Sequence, residues 1–258
     1  SHRTMAYSAI LTYHSLDDSG SAISVRPETF AAQMETLAAS GRKVVPLADL
    51  ARHPSAVAIT FDDGFANFAS DAAPVLARLA LPATVFVVGA YAGKRNNWPT
   101  QPPGFPELSL MSWSALRDLP PLVSLGAHTM THPDLRALSD REMTAEIRDS
   151  RVEIEQRTGR PVSAFAYPYG ALDARAATLV RQEFGTGCGT RLAFVRKNCD
   201  PAELPRLDAY YLQSEAWMAR LFGYPARMYI GARRSIRAVR AVAYRARSAT
   251  RTAASPSQ

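Results

Sequence analysis

Short apolar runs alternate along the chain with longer segments in which apolar residues recur every three or four positions. The runs predict strands, at residues 6–13, 44–45, 57–61, 83–88, 123–127, 164–167, near Thr186 and at 207–212. The longer segments predict helices, at residues 27–40, 71–81, 112–119, 139–157, 172–183 and 214–222. Ser139 and Glu142 form a capping-box pattern at the start of the fourth of these helices. This alternation indicates a parallel sheet covered by helices, either a doubly wound sheet or a barrel.

Candidate site residues directly follow several of the predicted strands. They are His14, the acidic pair at residues 62–63, His128 and the Pro-Tyr pair at residues 168–169. In a barrel of alternating strands and helices the strand ends open on one face, where active sites lie. Residues far apart in sequence would therefore meet, and this placement favours the barrel over the doubly wound sheet.

The acidic pair Asp62 and Asp63 ends an apolar, β-branched strand and is followed by Gly64. Adjacent carboxylates repel each other, and an unpaired buried carboxylate tends to become protonated. A cation beside the pair would remove both costs. The alternative is a tight turn, because Asp-Gly after a strand is also a common hairpin signal.

Two histidines, His128 and His132, are four residues apart. That spacing lets two imidazoles bind one metal ion, although taken alone it more often marks two polar loop residues. Together with the acidic pair, the histidines give a set of two imidazoles and one carboxylate with open coordination positions. Such a set suits a metal that promotes hydrolysis.

Three segments resemble motifs of the polysaccharide deacetylase family, also called the NodB-homology or carbohydrate esterase family 4 domain. They are residues 60–64 (Thr-Phe-Asp-Asp-Gly), 128–133 (His-Thr-Met-Thr-His-Pro) and 167–170 (Tyr-Pro-Tyr-Gly). The resemblance covers roughly residues 6–212. It implies a distorted (β/α) barrel of about seven parallel strands and a metal-dependent enzyme that removes the N-acetyl group from a sugar.

By motif position, the resemblance implies roles for five residues. Asp63, His128 and His132 would bind the metal, with Zn²⁺ as the first expectation and Co²⁺, Ni²⁺ or Mn²⁺ as alternatives. Asp62 would be the general base. The backbone N–H of Tyr169 would stabilise the oxyanion.

The chain departs from the family pattern where the base is supported. Family members often carry an arginine shortly before the Pro-Tyr motif, whereas residues 165–167 here are Phe-Ala-Tyr. Arg206 is the candidate to orient Asp62 instead. The alternative is a surface ion pair between Arg206 and Asp208.

A second departure concerns the proton donor, because no histidine follows His132. Many family members use a late histidine as the general acid. Deacetylases of poly-N-acetylglucosamine resemble this chain in supplying a histidine from the first strand. His14 is therefore the expected acid, on the opposite side of the metal from Asp62, and a histidine that merely packs is the alternative.

The sequence offers four candidates for contacts with the substrate: Pro168, Tyr169, Arg206 and Trp98. Trp98 lies in a loop at residues 94–106 that is rich in Asn, Pro and Gly. Its ring could stack on a sugar, although such aromatic residues are often part of the core. The substrate would be a polysaccharide or a lipid-linked glycan. Alternatives are a deformylase or deacetylase of a lipid-linked amino sugar and a glycan-binding protein without activity.

The positive charge is concentrated at the C-terminal end. The 258 residues carry a net charge of +7, and residues 225–258 contain eight arginines and no acidic residue, so removing those eight leaves −1. We therefore expect no nucleic-acid-binding body. Apolar residues at helical spacing in 225–251 suggest a basic amphipathic helix that contacts an anionic membrane, or else a frayed tail.

The expected organisation has three parts. Residues 1–5 look like a tag remnant, residues 6–224 form the deacetylase domain and residues 225–258 form the tail. With Met5 as the native start there is no secretory signal, so a cytoplasmic protein is expected, peripheral to the inner membrane if the tail binds lipid. Cys188 and Cys199 are expected to be thiols, with a disulfide as the alternative.

Overall fold

Nine β-strands form in the part of the chain that the computed structural model describes, residues 7–237. They are β1 (Ala9–Tyr13), β2 (Ser15–Leu16), β3 (Ser24–Val25), β4 (Val57–Phe61), β5 (Ala83–Val87), β6 (Val123–Ala127), β7 (Val162–Ala166), β8 (Thr186–Leu192) and β9 (Leu204–Asp208). Strands β1, β4, β5, β6, β7, β8 and β9 pair in this order, all parallel, and β9 pairs back to β1. The predicted barrel of about seven parallel strands is confirmed. The doubly wound sheet is wrong, because an open sheet would leave two edge strands unpaired.

Helices flank the barrel. The first five lie between barrel strands in the chain, and the sixth follows β9. They are α1 (Pro27–Ala39), α2 (Ala73–Arg78), α3 (Trp113–Arg117), α4 (Asp140–Thr158), α5 (Ala174–Glu183) and α6 (Glu215–Ala219). The predicted capping box begins α4, where the Glu142 N–H donates to the Ser139 hydroxyl and the Ser139 N–H donates to the Glu142 carboxylate. Gly159 ends α4 in the left-handed conformation (φ 69°), which costs glycine little.

Among the predicted strands, two differ most from the structure. Residues 44–45 form one isolated bridge, Val44 to Val57, and no barrel strand. Pro46 follows directly and has no N–H to continue a ladder. The last predicted strand lies earlier in the chain, at β9. Residues Ala209–Leu212 turn into a 3₁₀ helix, because the Asp208 carboxylate accepts a hydrogen bond from the Tyr210 N–H.

Phe86 of β5 fills the barrel interior. It belongs to a buried cluster with Ile10 and Ala58. Gly126 on the neighbouring β6 makes room for it, because a Cβ at that position would lie 2.4 Å from Phe86 Cδ1. The Arg206 guanidinium lies over the Phe86 ring, 5.6 Å from its centroid. The packed core of the barrel therefore extends to the guanidinium of Arg206.

The chain divides into two units after Ala219. The second unit begins at Arg220 and contains a helix at residues 224–237. The proposed tag remnant, residues 1–5, and the tail beyond residue 237 lie outside the described residues. No helix in the described part of the chain combines the length and apolar character needed to cross a bilayer. Cys188 and Cys199 are both free thiols, as expected.

Candidate active site

Three side chains meet at the carboxyl ends of β4 and β6. Asp63 follows β4 by two residues, His128 follows β6 directly, and His132 lies four residues later in the same loop. The Nε2 atoms of His128 and His132 each lie 3.4 Å from Asp63 Oδ1. Potential ligand atoms of all three residues lie within 4.8 Å of one another, and all three side chains are buried. The barrel thus brings together residues that are up to 69 positions apart.

The backbone at this cluster adopts conformations that side chains other than glycine rarely take. Asp63, Thr129 and His132 have φ angles of 71°, 67° and 62°. Each left-handed residue costs free energy, on the order of 1–3 kcal/mol, unless its surroundings hold it in place. Such strain concentrates at functional sites.

Contacts from α4 and from the loop itself hold residues 128–132 in place. We call these residues the histidine turn. The Glu146 carboxylate accepts hydrogen bonds from the N–H groups of Met130 and Thr131, at 2.8 and 2.9 Å. The His132 N–H donates to the Thr129 hydroxyl at 3.0 Å. Sequence reasoning missed Glu146, and its helical spacing gives no sign that it reaches the loop.

Two buried polar atoms of the cluster have no hydrogen-bond partner in the part of the chain that the structure describes. Asp63 Oδ1 and His132 Nδ1 are buried and have no hydrogen-bond partner among the described residues. His128 Nδ1 donates to the Ala166 carbonyl at 2.7 Å, which directs the Nε2 lone pair towards Asp63. An unpaired buried carboxylate oxygen is costly, and a cation removes that cost. The donor set of one oxygen and two imidazole nitrogens therefore fits a divalent metal such as zinc.

Electrostatics keep the Asp63 carboxylate ionised. Burial alone would raise its pKa, but the two imidazoles outweigh burial and hold the pKa below the usual range. Burial lowers the pKa of His132, which favours the neutral imidazole. An ionised carboxylate and a neutral imidazole are the forms that bind metal. Burial would lower the pKa of His128, but Asp63 and Asp62 outweigh burial, so the pKa lies above its usual range and metal binding would release a proton there.

Asp62 has a different set of partners. Its Oδ1 accepts a hydrogen bond from Arg206 Nη1 at 2.6 Å, and its Oδ2 accepts one from Nη2 at 2.7 Å. Arg206 Nε donates to the Gly189 carbonyl at 2.9 Å, and the residue is 2% exposed. Burial would raise the pKa of Asp62, but Arg206 outweighs it, so the pKa lies below its usual range. Asp62 is therefore held as an oriented anion.

Two expectations about Arg206 are wrong. A surface ion pair with Asp208 does not describe a side chain that is buried and bound through both amino groups to Asp62. Substrate contact does not fit either, since Nη1, Nη2 and Nε all donate to protein groups.

His14 lies beside Asp62, not opposite to it. Strands β1 and β4 are parallel neighbours with Tyr13 paired to Phe61, so the next residues along each strand are also adjacent. His14 Nε2 lies 3.8 Å from Asp62 Oδ2, and its side chain is 24% exposed. The expectation that His14 faces Asp62 from across the metal site is wrong, because strand order fixes the two residues on the same side.

The predicted sugar platform at Trp98 is wrong. Trp98 is 3% exposed, and its ring stacks on His132 with centroids 4.2 Å apart and planes at 24°. The Thr100 hydroxyl in the same loop donates to the His132 carbonyl at 2.6 Å. The loop therefore supports a candidate ligand from behind. Thr100 was missed because a polar residue in a long loop carries no positional signal.

The third motif contributes one exposed side chain. Tyr169 is 42% exposed, has a φ of 58°, and places its ring edge-on to His132 at 4.7 Å between centroids. Its hydroxyl donates to the Thr100 carbonyl at 2.8 Å. Pro168 is buried and begins the 3₁₀ turn, so the expectation that it contacts substrate is wrong. Tyr169 remains the accessible member of the four predicted contacts.

Comparison with known proteins matches the same segments. A family model described as polysaccharide deacetylase matches residues 50–185, just over half of the chain. The Bacillus subtilis protein YxkH, placed among polysaccharide deacetylases by its name, is 27% identical over 62% of this chain and 56% of its own length. A chitooligosaccharide deacetylase from Sinorhizobium fredii is 30% identical over 59% of this chain and 62% of its own. The chain thus spans less than two thirds of either relative.

Solved structures share the fold. The Streptococcus pyogenes deacetylase PplD, in complex with acetate, has a TM-score of 0.68 at 20% identity, covering 80% of this chain and 93% of its own. IcaB from Ammonifex degensii has a TM-score of 0.68 at 21% identity, covering 83% and 97%. At these identities the likeness concerns the barrel alone. The matched family segment contains Asp62, Asp63, His128 and His132 but neither His14 nor Arg206.

Proposed function

Because the chain belongs to the polysaccharide deacetylase family, we propose that it hydrolyses the N-acetyl amide of an N-acetylated sugar within a polysaccharide or a lipid-linked glycan. One observation carries the proposal: two adjacent buried carboxylates have different partners. Asp62 is bound by Arg206, while Asp63 turns an unpaired oxygen towards two imidazoles. Two carboxylates in different surroundings suit two roles in one reaction.

Asp63, His128 and His132 would hold a divalent metal ion, with zinc as the first choice. When bound, such an ion polarises the amide carbonyl and lowers the pKa of a water molecule. Trp98, stacked on His132, and Glu146, bonded to the histidine turn, would fix the ligand geometry. These supporting contacts keep the imidazoles in place without using their Nε2 atoms.

Asp62 would accept the proton of the attacking water. Arg206 holds it in the ionised form that can accept a proton, and the two-point contact fixes its direction. His14, 3.8 Å away, would supply a proton to the sugar nitrogen as the C–N bond breaks. The products are acetate and a free amine on the sugar. The Tyr169 N–H would face the carbonyl oxygen as negative charge develops there.

The relatives support an N-acetylglucosamine oligomer as the first substrate to test. One relative is named as a chitooligosaccharide deacetylase. The exposed ring of Tyr169, next to His132, offers a sugar an amphipathic surface at the site. A glycan-binding protein without activity is less well supported, because binding alone would not need an oriented, ionised Asp62.

Acetate release tests the proposal. The purified chain is stripped with a chelator, reloaded with Zn²⁺ and incubated with oligomers of N-acetylglucosamine, a lipid-linked N-acetylated sugar and acetylated xylan. We expect acetate from an N-acetylated substrate after reloading and none after stripping. Stoichiometric metal together with no acetate from any substrate would instead indicate a binding protein.

A further inference from the structure

The helix at residues 224–237 exposes a line of apolar side chains. Tyr224, Met228 and Ile236 are 66%, 56% and 44% exposed, and Ala232 between them is also exposed. The four residues recur at intervals of four, so they lie along one side of the helix. We call this line the apolar ridge. A row of exposed large apolar side chains is typical of a surface that interacts with a protein, a membrane or a ligand.

The apolar ridge is distinct from the buried side of the same helix. Ala226 and Ile230 are 0% and 3% exposed. They lie two residues away from the ridge positions, which places them on another side of the helix. The helix thus has apolar residues on two sides. Those of the side that contains Ala226 and Ile230 are buried, and those of the ridge are exposed.

The exposed positive charge of this helix lies on another side than the ridge. Arg234 is exposed two residues from both Ala232 and Ile236, so it points away from the apolar ridge. Over the whole stretch of residues 225–258 the sequence has eight arginines, no lysine and no acidic residue. An apolar side, with cationic residues on another side and Tyr at one end, is typical of helices that lie in the interface of a bilayer.

We propose that the apolar ridge docks on a membrane surface that contains anionic lipids. Its apolar side chains would enter the boundary between headgroups and acyl chains while the arginines meet lipid phosphates. A second copy of this chain is a poorer partner, because it would bring a like-charged segment against the first. A nucleic acid would match the arginines but leave the ridge in water. The membrane matches both features.

Vesicle flotation tests this proposal with the full chain. The vesicles are phosphatidylcholine alone, and phosphatidylcholine with about one third phosphatidylglycerol. We expect binding to the anionic vesicles at least about tenfold stronger than to the neutral ones, weakening as NaCl rises from about 50 to about 500 mM. Equal binding to both vesicles, or none to either, would overturn the proposal without any mutation.

Substitutions then locate the surface. The double variant Met228→Ser/Ile236→Ser should lose binding to anionic vesicles by about tenfold or more. Val152→Ser is the matched control, since Val152 is 47% exposed on α4, and should bind normally. Circular dichroism and thermal unfolding check that both variants fold. Unchanged binding by the double variant would contradict the assignment of the apolar ridge as the docking surface.

Other occupants are separate outcomes of the same series. Sedimentation in the absence of lipid would show a dimer that the double variant abolishes if the ridge binds a second copy, and that result would overturn the membrane proposal. Stronger binding to RNA than to anionic vesicles, unaffected by the double variant, would overturn it as well. Deacetylation of a soluble oligomer does not enter either test, so failure here leaves the proposed activity untouched.

Discussion

Asp62 and Asp63 are consecutive residues, and both carboxylates are removed from water, at 3% and 6% exposure. Around Asp62 the protein supplies a complete counter-charge, since Arg206 bonds to both oxygens. Around Asp63 it supplies two imidazoles at 3.4 Å and leaves Oδ1 without a hydrogen bond from the described residues. We call these the paired half and the open half of the site.

The difference shows how one β-strand can deliver two functions. Successive residues at a strand end point in different directions, and the positive φ of Asp63 turns its side chain further from that of Asp62. One carboxylate then meets a cation from the protein itself, and the other meets groups suited to a cation from solution. Both roles depend on which neighbouring strands reach each side chain.

The open half should give the largest effect when it is broken. Asp63→Asn replaces the charged ligand by a neutral amide, so we expect metal content to fall sharply and deacetylation to be abolished. Metal analysis of the purified variant, together with acetate release, measures both. Asp62→Asn is the matched control, because it makes the same substitution one residue away. Full metal content in Asp63→Asn would contradict the assignment.

The paired half should respond to Asp62→Asn in another way. The amide keeps nearly the same shape but cannot accept a proton, so metal should stay bound while the rate falls by about 10² to 10⁴. Single-turnover acetate release at saturating substrate measures the loss. If metal content falls as well, the roles of the two carboxylates are exchanged.

His14 tests whether the paired half also supplies the proton. We expect His14→Ala to keep metal and to lose about 10² in amide hydrolysis, while an activated acetyl ester loses much less because its leaving group needs little protonation. His53→Ala is the control, since His53 lies away from the site beside Lys43. Equal losses on amide and ester would mean that His14 positions water or substrate.

Arg206→Lys should have a smaller effect. Lysine keeps the charge but loses the two-point contact, so we expect the rate to fall by about tenfold with metal content unchanged. Arg136→Lys is a close control, because Arg136 also makes a two-point contact with a carboxylate, Asp134 at the surface, through Nε and Nη2, and should not alter the rate. A normal rate in Arg206→Lys would show that charge alone orients Asp62.

The reactivity of the Cys188 thiol tests whether solvent reaches the paired half of the site. Burial raises the pKa of the Cys188 thiol to about 12, and the residue is fully buried on β8, whereas Cys199 is partly exposed. At pH 8 we expect a thiol reagent to label one cysteine per native chain and two after denaturation. Mass spectrometry of the labelled peptides identifies which. Rapid labelling of Cys188 in the native protein would mean that the paired half opens.

Much of the fold could be predicted because its signals are local. The apolar run 57–61 is a barrel strand with those bounds, and so is 123–127. Asp63, His128 and His132 meet as their positions after strands suggested. Strand ends on one face of a barrel converge whatever the order of the strands, so no long-range information was needed to place these three residues near one another.

Strand order and loop packing could not be predicted in the same way. The position of His14 beside Asp62 depends on β1 pairing with β4, and no residue of either strand announces that pairing. Trp98 stacks behind His132 because a long loop folds back over it. The sequence shows an aromatic residue in that loop but not which of its faces is covered.

The ion pair between Asp62 and Arg206 has a consequence for the newly made protein. The two residues are separated by 144 positions. At about 5–20 residues per second, the ribosome adds Arg206 roughly 7–30 s after Asp62. Until β9 arrives, burial of Asp62 would leave its charge uncompensated, so we expect the nascent barrel to stay open at this edge. Proteolysis of ribosome-bound chains of increasing length would locate the point at which protection appears. Closure of the barrel and formation of the Asp62–Arg206 ion pair would then occur together, once β9 has been synthesised.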